Sequence, residues 1–325
     1  MTISRRKFLN LAAGSGALPV LSRTARAQGY PSRPVHVIVP FAAAGPNDIV
    51  ARVVCQRMSE HLGQPFVIEN RPGAGTNVGT EMVVHAPPDG YTVLVVSSSH
   101  AINATLYDKL NFSFVRDIAP VASIMRVPNV MVVNPTFPAR SVREFIDYGK
   151  ANPGKLNFAS SGIGASNHMS GELFKVMTGL DMTHVPYRSS GPALTDLISG
   201  QVQVMFDAMS SSVEHIRAGR LRPLGVTTAT KADALPEVPV VADVVPGYEV
   251  SNWFGFGMPR STPADVIMTF NKAVDEALAD PKLKARLAEL GGILMPGSPA
   301  DFGKLIAEET EKWGKVIRSA NIKPA

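Results

Sequence analysis

From Val35 onward the chain alternates short runs of branched apolar residues with longer amphipathic runs. Strands are expected from Val35 to Val39 (VHVIV), from Phe66 to Glu69 (FVIE) and from Tyr91 to Val96 (YTVLVV). Between them, Asp48 to Leu62 has helical spacing closed by Gly63, with Asn47 or Asp48 as N-cap, and a second helix is expected over about Val78 to Ala86. Continuous apolar strands separated by helices predict an α/β fold with a mostly parallel sheet covered on both faces. A second series opens at Asn129 to Val133. It continues with an S-x-x-E capping box at Ser141 and Glu144 for a helix through Lys150. Then come a strand from Leu156 to Ala159, a helix after Ser166, a strand from Met182 to Val185, a helix over about Pro192 to Ser199 and a strand from Val202 to Phe206.

The last third changes character. Leu235 to Gly247 reads as a connection and Trp253 to Met258 as a strand. Helices follow over about Ala264 to Ala279, Pro281 to Leu290 and Pro299 to Arg318, the last two opening with proline at the first helical position. The charged run Glu308, Glu309, Glu311, Lys312 and Lys315 reads as a solvated face.

With 325 residues the chain has room for about two domains. A mixture of 45% hydrophobic and 18% charged residues excludes disorder and collagen-like structure. The net charge of +5 invites a polyanionic partner, but its location argues otherwise. Arg5, Arg6, Lys7, Arg23 and Arg26 lie in the first 27 residues without a single acid, and the remainder has 27 bases against 27 acids. That segment has a basic start, an apolar stretch from Phe8 to Leu21 and an Ala25-Arg26-Ala27 site. It predicts an export signal over residues 1–27, removed before Gln28. SRRKFLN (Ser4 to Asn10) resembles the twin-arginine motif. An apolar stretch of about 14 residues falls short of the ~20 that span a bilayer. The expected product is a soluble monomer in the periplasm with no nucleic-acid partner. Cys55 is the only cysteine, so no intrachain disulfide can form, and its apolar surroundings predict a buried hydrophobe.

Three loops concentrate the candidate chemistry. The first, Pro40 to Asp48 (PFAAAGPND), contains Phe41, Ala42, Ala43, Ala44, Gly45, Asn47 and Asp48. The second, Ala159 to His168 (ASSGIGASNH), contains Ser160, Ser161, Gly162, Gly164, Ser166 and His168. Each leads from a buried strand into a helix amino terminus and is poor in bulky side chains. Free N–H groups and a positive dipole end then converge at a point suited to a carboxylate or phosphate. The third, Ser97-Ser98-Ser99-His100, follows a strand end and should share a cleft with the first. It has no G-x-S-x-G elbow, so catalysis there is not expected. Asp207 closes a strand and reads either as a site residue or as an N-cap. GAGTNVG (Gly73 to Gly79) reads as a turn rather than a nucleotide fingerprint. The seven histidines show no metal-ligand spacing, so neither metal nor cofactor is expected.

These loops carry a family likeness. PFAAAGPNDIVAR, ENRPGAGTNVGTE, PPDGYT, FASSGIGASNHMSGE, HVPYRSSGPALTDLISGQVQVMFD and the stretch around Trp253-Phe254-Gly255 occur in order across the mature chain. Together they resemble the Bug family of extracytoplasmic solute receptors of tripartite tricarboxylate transporters. The resemblance implies a two-domain periplasmic-binding-protein fold (type II-like) with the ligand cleft between the domains. It also implies a small organic carboxylate as ligand and membrane permease subunits as partners. Carried over by position, it makes Phe41 to Asp48 and Ser160 to His168 the two pincers, with Ser98, Tyr187 and Asp207 as further contributors. Ala44 stands where the family commonly has Gly, and Asn47 where it commonly has Thr or Ser. Crossings near Arg126–Asn129 and Val250–Trp253 would assign residues 28–128 and 251–325 to one discontinuous domain and residues 129–250 to the other. Two other functions compete with a transport receptor. One is an exported hydrolase using the serine-rich loops, and the other a ligand sensor for a signalling partner. Dicarboxylates, tricarboxylates, acidic amino acids and aromatic acids all stay open as ligands.

Overall fold

A computed structural model describes residues 29–43, 45–107, 109–187 and 190–324. The expected export segment 1–27, its cleavage site before Gln28 and Ala44 lie outside the described residues. The strands are β1 (Val35–Val39), β2 (Phe66–Asn70), β3 (Thr92–Ser97), β4 (Ile118–Val133), β5 (Leu156–Ser160), β6 (Met182–Pro186), β7 (Val204–Ala208), β8 (Arg222–Val226), β9 (Ser251–Pro259) and β10 (Ile293–Leu294). They form one sheet in the order β2-β1-β3-β9-β4-β7-β5-β6, with β8 and β10 also pairing with β4.

Parallel pairing is confined to the two ends of the sheet. β1 lies parallel to β2 and β3, and β5 parallel to β6 and β7, whereas every pair involving β4 or β9 is antiparallel. A mostly parallel sheet was the expectation; the centre departs from it because β4 and β9 run antiparallel to each other and to their other neighbours. β4 is the main surprise. Its first part, Ile118 to Pro128, pairs with β9, and its last part, Asn129 to Val133, with β7 and β8. Pro120 and Pro128 make this stretch look broken in sequence, since proline donates nothing to a ladder. A register shift between Pro120 and Ala122 accommodates the first, and Pro128 sits where the pairing of β4 changes from β9 to β7; a further shift lies between Ser123 and Met125.

Side chains alternate across the sheet, and the two sets enter different cores. Val35, Val37 and Val39 pack with Val50, Val54, Met58, Phe270 and Val274 on one face. Ile38, Leu94 and Val96 pack with Phe302, Ile306 and Trp313 on the other. The alternation continues into the second half, where Val130, Val132 and Met205 join the first core and Met131, Val133 and Phe206 the second. Cys55 is buried in the first core, and burial pushes its thiol pKa up. Glu309 is not on a solvated face as the charge run suggested. Its carboxylate accepts hydrogen bonds from the indole nitrogens of Trp253 (3.4 Å) and Trp313 (2.9 Å) and pairs with Lys312 (2.6 Å).

Thr227 ties β4 to the segment that precedes β9. Its hydroxyl accepts from the Asn129 N–H (3.0 Å) and donates to the Val250 carbonyl (2.6 Å). The Thr227 N–H donates to the Asn129 carbonyl (2.9 Å), and the Val250 N–H to the Thr227 carbonyl (2.8 Å). Both segments are therefore pinned to one buried residue.

Candidate functional site

The first loop runs from β1 into the helix Pro46–Leu62, which begins two residues before the expected start at Asp48. Gly45 is the N-cap, Pro46 the first helical residue, and Asn47 and Asp48 lie inside the first turn. Proline at this position loses no hydrogen bond, which explains why the helix starts there. Gly63 closes it in the left-handed conformation, as the sequence suggested. Asp48 is buried and engaged within the protein. One carboxylate oxygen accepts from Arg52 Nε (2.9 Å) and the other from Asn70 Nδ2 (2.9 Å), and Asn70 also bonds the Phe41 carbonyl (3.1 Å). Asp48 and Asn70 thus hold the loop's shape. Asn47 is buried beside it, at 7% exposure.

The second loop leaves β5 and enters the helix Ser166–Thr178, with Gly162 (φ +130°) and Gly164 (φ +80°) in backbone conformations that disfavour a side chain. Two buried networks fix its main chain. Asn167 Oδ1 accepts from both the N–H and the hydroxyl of Ser161 (3.1 Å each), while its amide donates to Asp207. Asp207 is fully buried and also accepts from Ser190 (2.9 Å) and Ser212 (2.8 Å). Burial pushes its pKa up, and these hydrogen bonds oppose that shift. In the second network Ser160 Oγ pairs with His184 Nε2 (2.6 Å) and accepts from the Gly162 N–H (3.1 Å). His168 Nδ1 accepts from the Gly164 N–H (3.2 Å), so its proton sits on Nε2, toward Glu172. The rings of His168 and His184 stack 4.0 Å apart, with Phe158 against His184. Burial, then the neighbouring His184 and Lys175 charges, lower His168 to about 3. Burial and Lys175 lower His184 to about 4. Both are neutral at pH 7.

The third loop proves to be helical. Ser98 opens the helix Ser98–Leu106, and His100 Nδ1 accepts from the Ser97 N–H (3.0 Å) as part of its N-terminal cap. The Ser98 hydroxyl donates to Asn252 Oδ1 (2.7 Å), linking this helix to β9. His100 is buried and lowered to about 4 by burial. Ser160 and His184 have nucleophile-to-base spacing. However, Ser160 is fully buried, and its hydroxyl is shared with the Gly162 turn.

The two loops, distant in sequence, meet at one cavity of about 260 Å³. Phe41 and Ala42 line it from one side, and Ile163, Gly164 and Ala165 from the other. Of the residues singled out in sequence, Phe41, Ala42 and Gly164 face this space. Ala43 is exposed beside it and Gly45 caps the helix behind it. Ser160, Ser161, Gly162, His168 and Asp207 form or brace the second loop. Ser166 accepts from Ser170 through its carbonyl (2.8 Å). The Tyr187 hydroxyl donates to Asp196 (2.6 Å); burial and that carboxylate raise its pKa to about 12. Sequence reasoning missed the wall formed by Pro72 to Thr76 and the helix residue Asn103, while Ser99 of the third loop lines the cavity as well. The GAGTNVG glycines were a signal, since Gly73 and Gly75 adopt positive φ in this wall. Among the described residues lining the cavity there is no Lys, Arg, His, Asp or Glu. Nor do the described residues contain a cluster of three or more His, Cys, Asp or Glu able to hold a metal ion.

Nearly the whole chain is similar to proteins of one family. Residues 50–322 match the model of the tripartite tricarboxylate transporter family receptor. Protein BugT of Bordetella pertussis is 34% identical over 316 residues, covering 96% of this chain and 95% of that protein. The UPF0065 protein of the tcbD-tcbE intergenic region in Pseudomonas sp. is 37% identical over 320 residues, covering 97% and 94%. The structure of R. palustris Rpa4515 with adipate superposes with a TM-score of 0.81 at 38% identity, over 91% of this chain and 100% of that one. MatC from Rhodopseudomonas palustris with bound malate gives 0.78 at 33%, over 89% and 100%. The fold is thus the two-domain periplasmic-binding type, with its cleft between the domains.

Proposed function

We propose, from the premise that this chain belongs to the tripartite tricarboxylate transporter receptor family, that it is a periplasmic receptor for a small organic carboxylate. It carries no reaction; it captures the acid and hands it to the membrane permease subunits of a tripartite transporter. The convergence of two small-residue loops on one uncharged cavity supports this reading most directly. Main-chain N–H groups at helix amino termini replace cationic side chains as anion donors there. Each charge-assisted hydrogen bond of this kind contributes roughly 1.5–3 kcal/mol. The similar structures of Rpa4515 with adipate and of MatC with bound malate carry small organic carboxylates.

The side chains that brace the loops, Asp48, Asn70, Asn167, His184 and Asp207, are positioning residues in this reading. Thr227 marks the boundary between a first domain of residues 28–128 and 251–325 and a second of residues 129–250. Ligand draws these together by rotation about the crossings. Export uses the segment 1–27, with removal before Gln28; Arg5→Lys with Arg6→Lys should abolish delivery if the route is the twin-arginine one.

A thermal-shift screen of the mature protein over a carboxylate panel, paired with an ester-hydrolysis assay, tests the function. Binding at 100 times Kd raises stability by about 2.7 kcal/mol. A shift without turnover is expected, together with a fall in radius of gyration. Ester turnover, or a saturating ligand that leaves the radius unchanged, would overturn the reading.

A further inference from the structure

A second crevice of about 260 Å³ lies against the same helix that the first loop feeds. Ile49 and Val50 of Pro46–Leu62 form one wall and Leu290 extends it. Val127 of β4 and Phe254 of β9 also line it. Ser210 and Ser211, from the first turn of the helix Met209–Arg217, contribute the opposite side. The crevice therefore lies between the same two halves of the molecule as the loop cavity. Among its described lining residues none is ionisable, and the only side-chain polar groups are the two serine hydroxyls.

Its position relative to the loop is fixed by helix geometry. Pro46, the first residue of that helix, lines the crevice with Ile49 and Val50, so its mouth lies at the helix's amino end. A carboxylate at the first-turn N–H groups would thus have its next few carbons at the mouth of this crevice. We propose that the crevice receives the hydrocarbon body of the ligand, so that the receptor selects carboxylates with an unsubstituted aliphatic or aryl body over hydroxylated and tricarboxylic acids. This rests on the carboxylate-receptor reading and goes beyond it by naming the ligand class. Two consequences follow from the lining. Each methylene buried against these walls tightens binding by about fourfold. A hydroxyl or second carboxylate placed there loses its hydration with only Ser210 and Ser211 to replace it.

The experiment is calorimetric titration of the mature protein with butanoate, hexanoate, octanoate, malate and citrate. It is run on the wild type and on two variants, Ser211→Trp, which fills the crevice from a half-exposed position, and Ile49→Asn, which makes its wall polar. Wild-type affinity is expected to climb by up to about fourfold per methylene along the aliphatic series. The octanoate-to-butanoate affinity ratio should collapse toward one in either variant that keeps a wild-type melting profile. Malate or citrate binding more tightly than hexanoate would overturn the inference and leave the receptor reading standing. So would a chain-length slope that is flat in the wild type or unchanged in both variants. Absence of binding by every acid in a wide carboxylate panel would overturn both.

Discussion

Asn167→Asp tests the network behind the second loop, because it changes one atom's chemistry and almost no volume. The Asn167 amide bridges two groups that cannot exchange roles. Its oxygen accepts from Ser161 and its nitrogen donates to the fully buried Asp207. An aspartate keeps the first bond but turns a carboxylate oxygen toward another carboxylate. Two buried carboxylates in contact cannot both ionise, so the pair holds a proton that the unfolded chain releases with a pKa of about 3.9. The added carboxyl has a raised folded pKa. Its contribution is intact below about pH 4 and is lost as pH rises, by about 1.4 kcal/mol per pH unit. By pH 7 the loss reaches about 4 kcal/mol, provided the pair still shares one proton. Urea unfolding followed by fluorescence reads this directly, since Trp253 and Trp313 are both buried in the fold. The stability gap between wild type and variant should widen steadily from about pH 4.5 to about pH 7.5, whereas Asn167→Leu should show a loss independent of pH. A gap that stays constant with pH in the aspartate variant would refute contact between residue 167 and the Asp207 carboxyl group.

Thr227→Val keeps the volume but removes the hydroxyl that joins Asn129 to Val250, leaving a buried N–H unpaired; a loss of about 2–3 kcal/mol in urea unfolding is expected. Gly255→Ala places a Cβ into the Phe302 ring and 2.5 Å from the Ala122 carbonyl oxygen. Loss of about 3 kcal/mol is expected, read as a lower melting temperature. His168 and His184 are neutral in the fold, with pKa values lowered from 6.5 to about 3 and about 4. Their stabilisation is therefore present above about pH 6.5 and lost as pH falls, by at most about 1.4 kcal/mol per pH unit for each. His184→Gln should reduce the slope of stability against pH in that window, and an unaltered slope would contradict the assignment.

What the sequence determined by itself was local. Branched apolar runs marked β1, β2 and β5 within a residue or two, and Pro281 and Pro299 marked helix starts, because period and capping are encoded over a few neighbouring positions. The first-loop helix shows the limit of such reading: its N-cap moved to Gly45 because Pro46 can occupy the first helical position. The small-residue loops were also legible, since scarcity of side chains is itself a local signal. Tertiary structure alone decided that Phe41 and Gly164 line one space, that β4 continues through two prolines, and that Glu309 serves two tryptophans. The same holds for Asp48 and Asp207. Both read as candidate site residues, yet their carboxylates are engaged by Arg52 and Asn70 and by Ser190, Ser212 and Asn167, partners 4 to 40 positions away. Whether a carboxylate faces a ligand or braces a loop depends on which donors folding brings to it. Pairings across such separations leave no periodic trace in the chain.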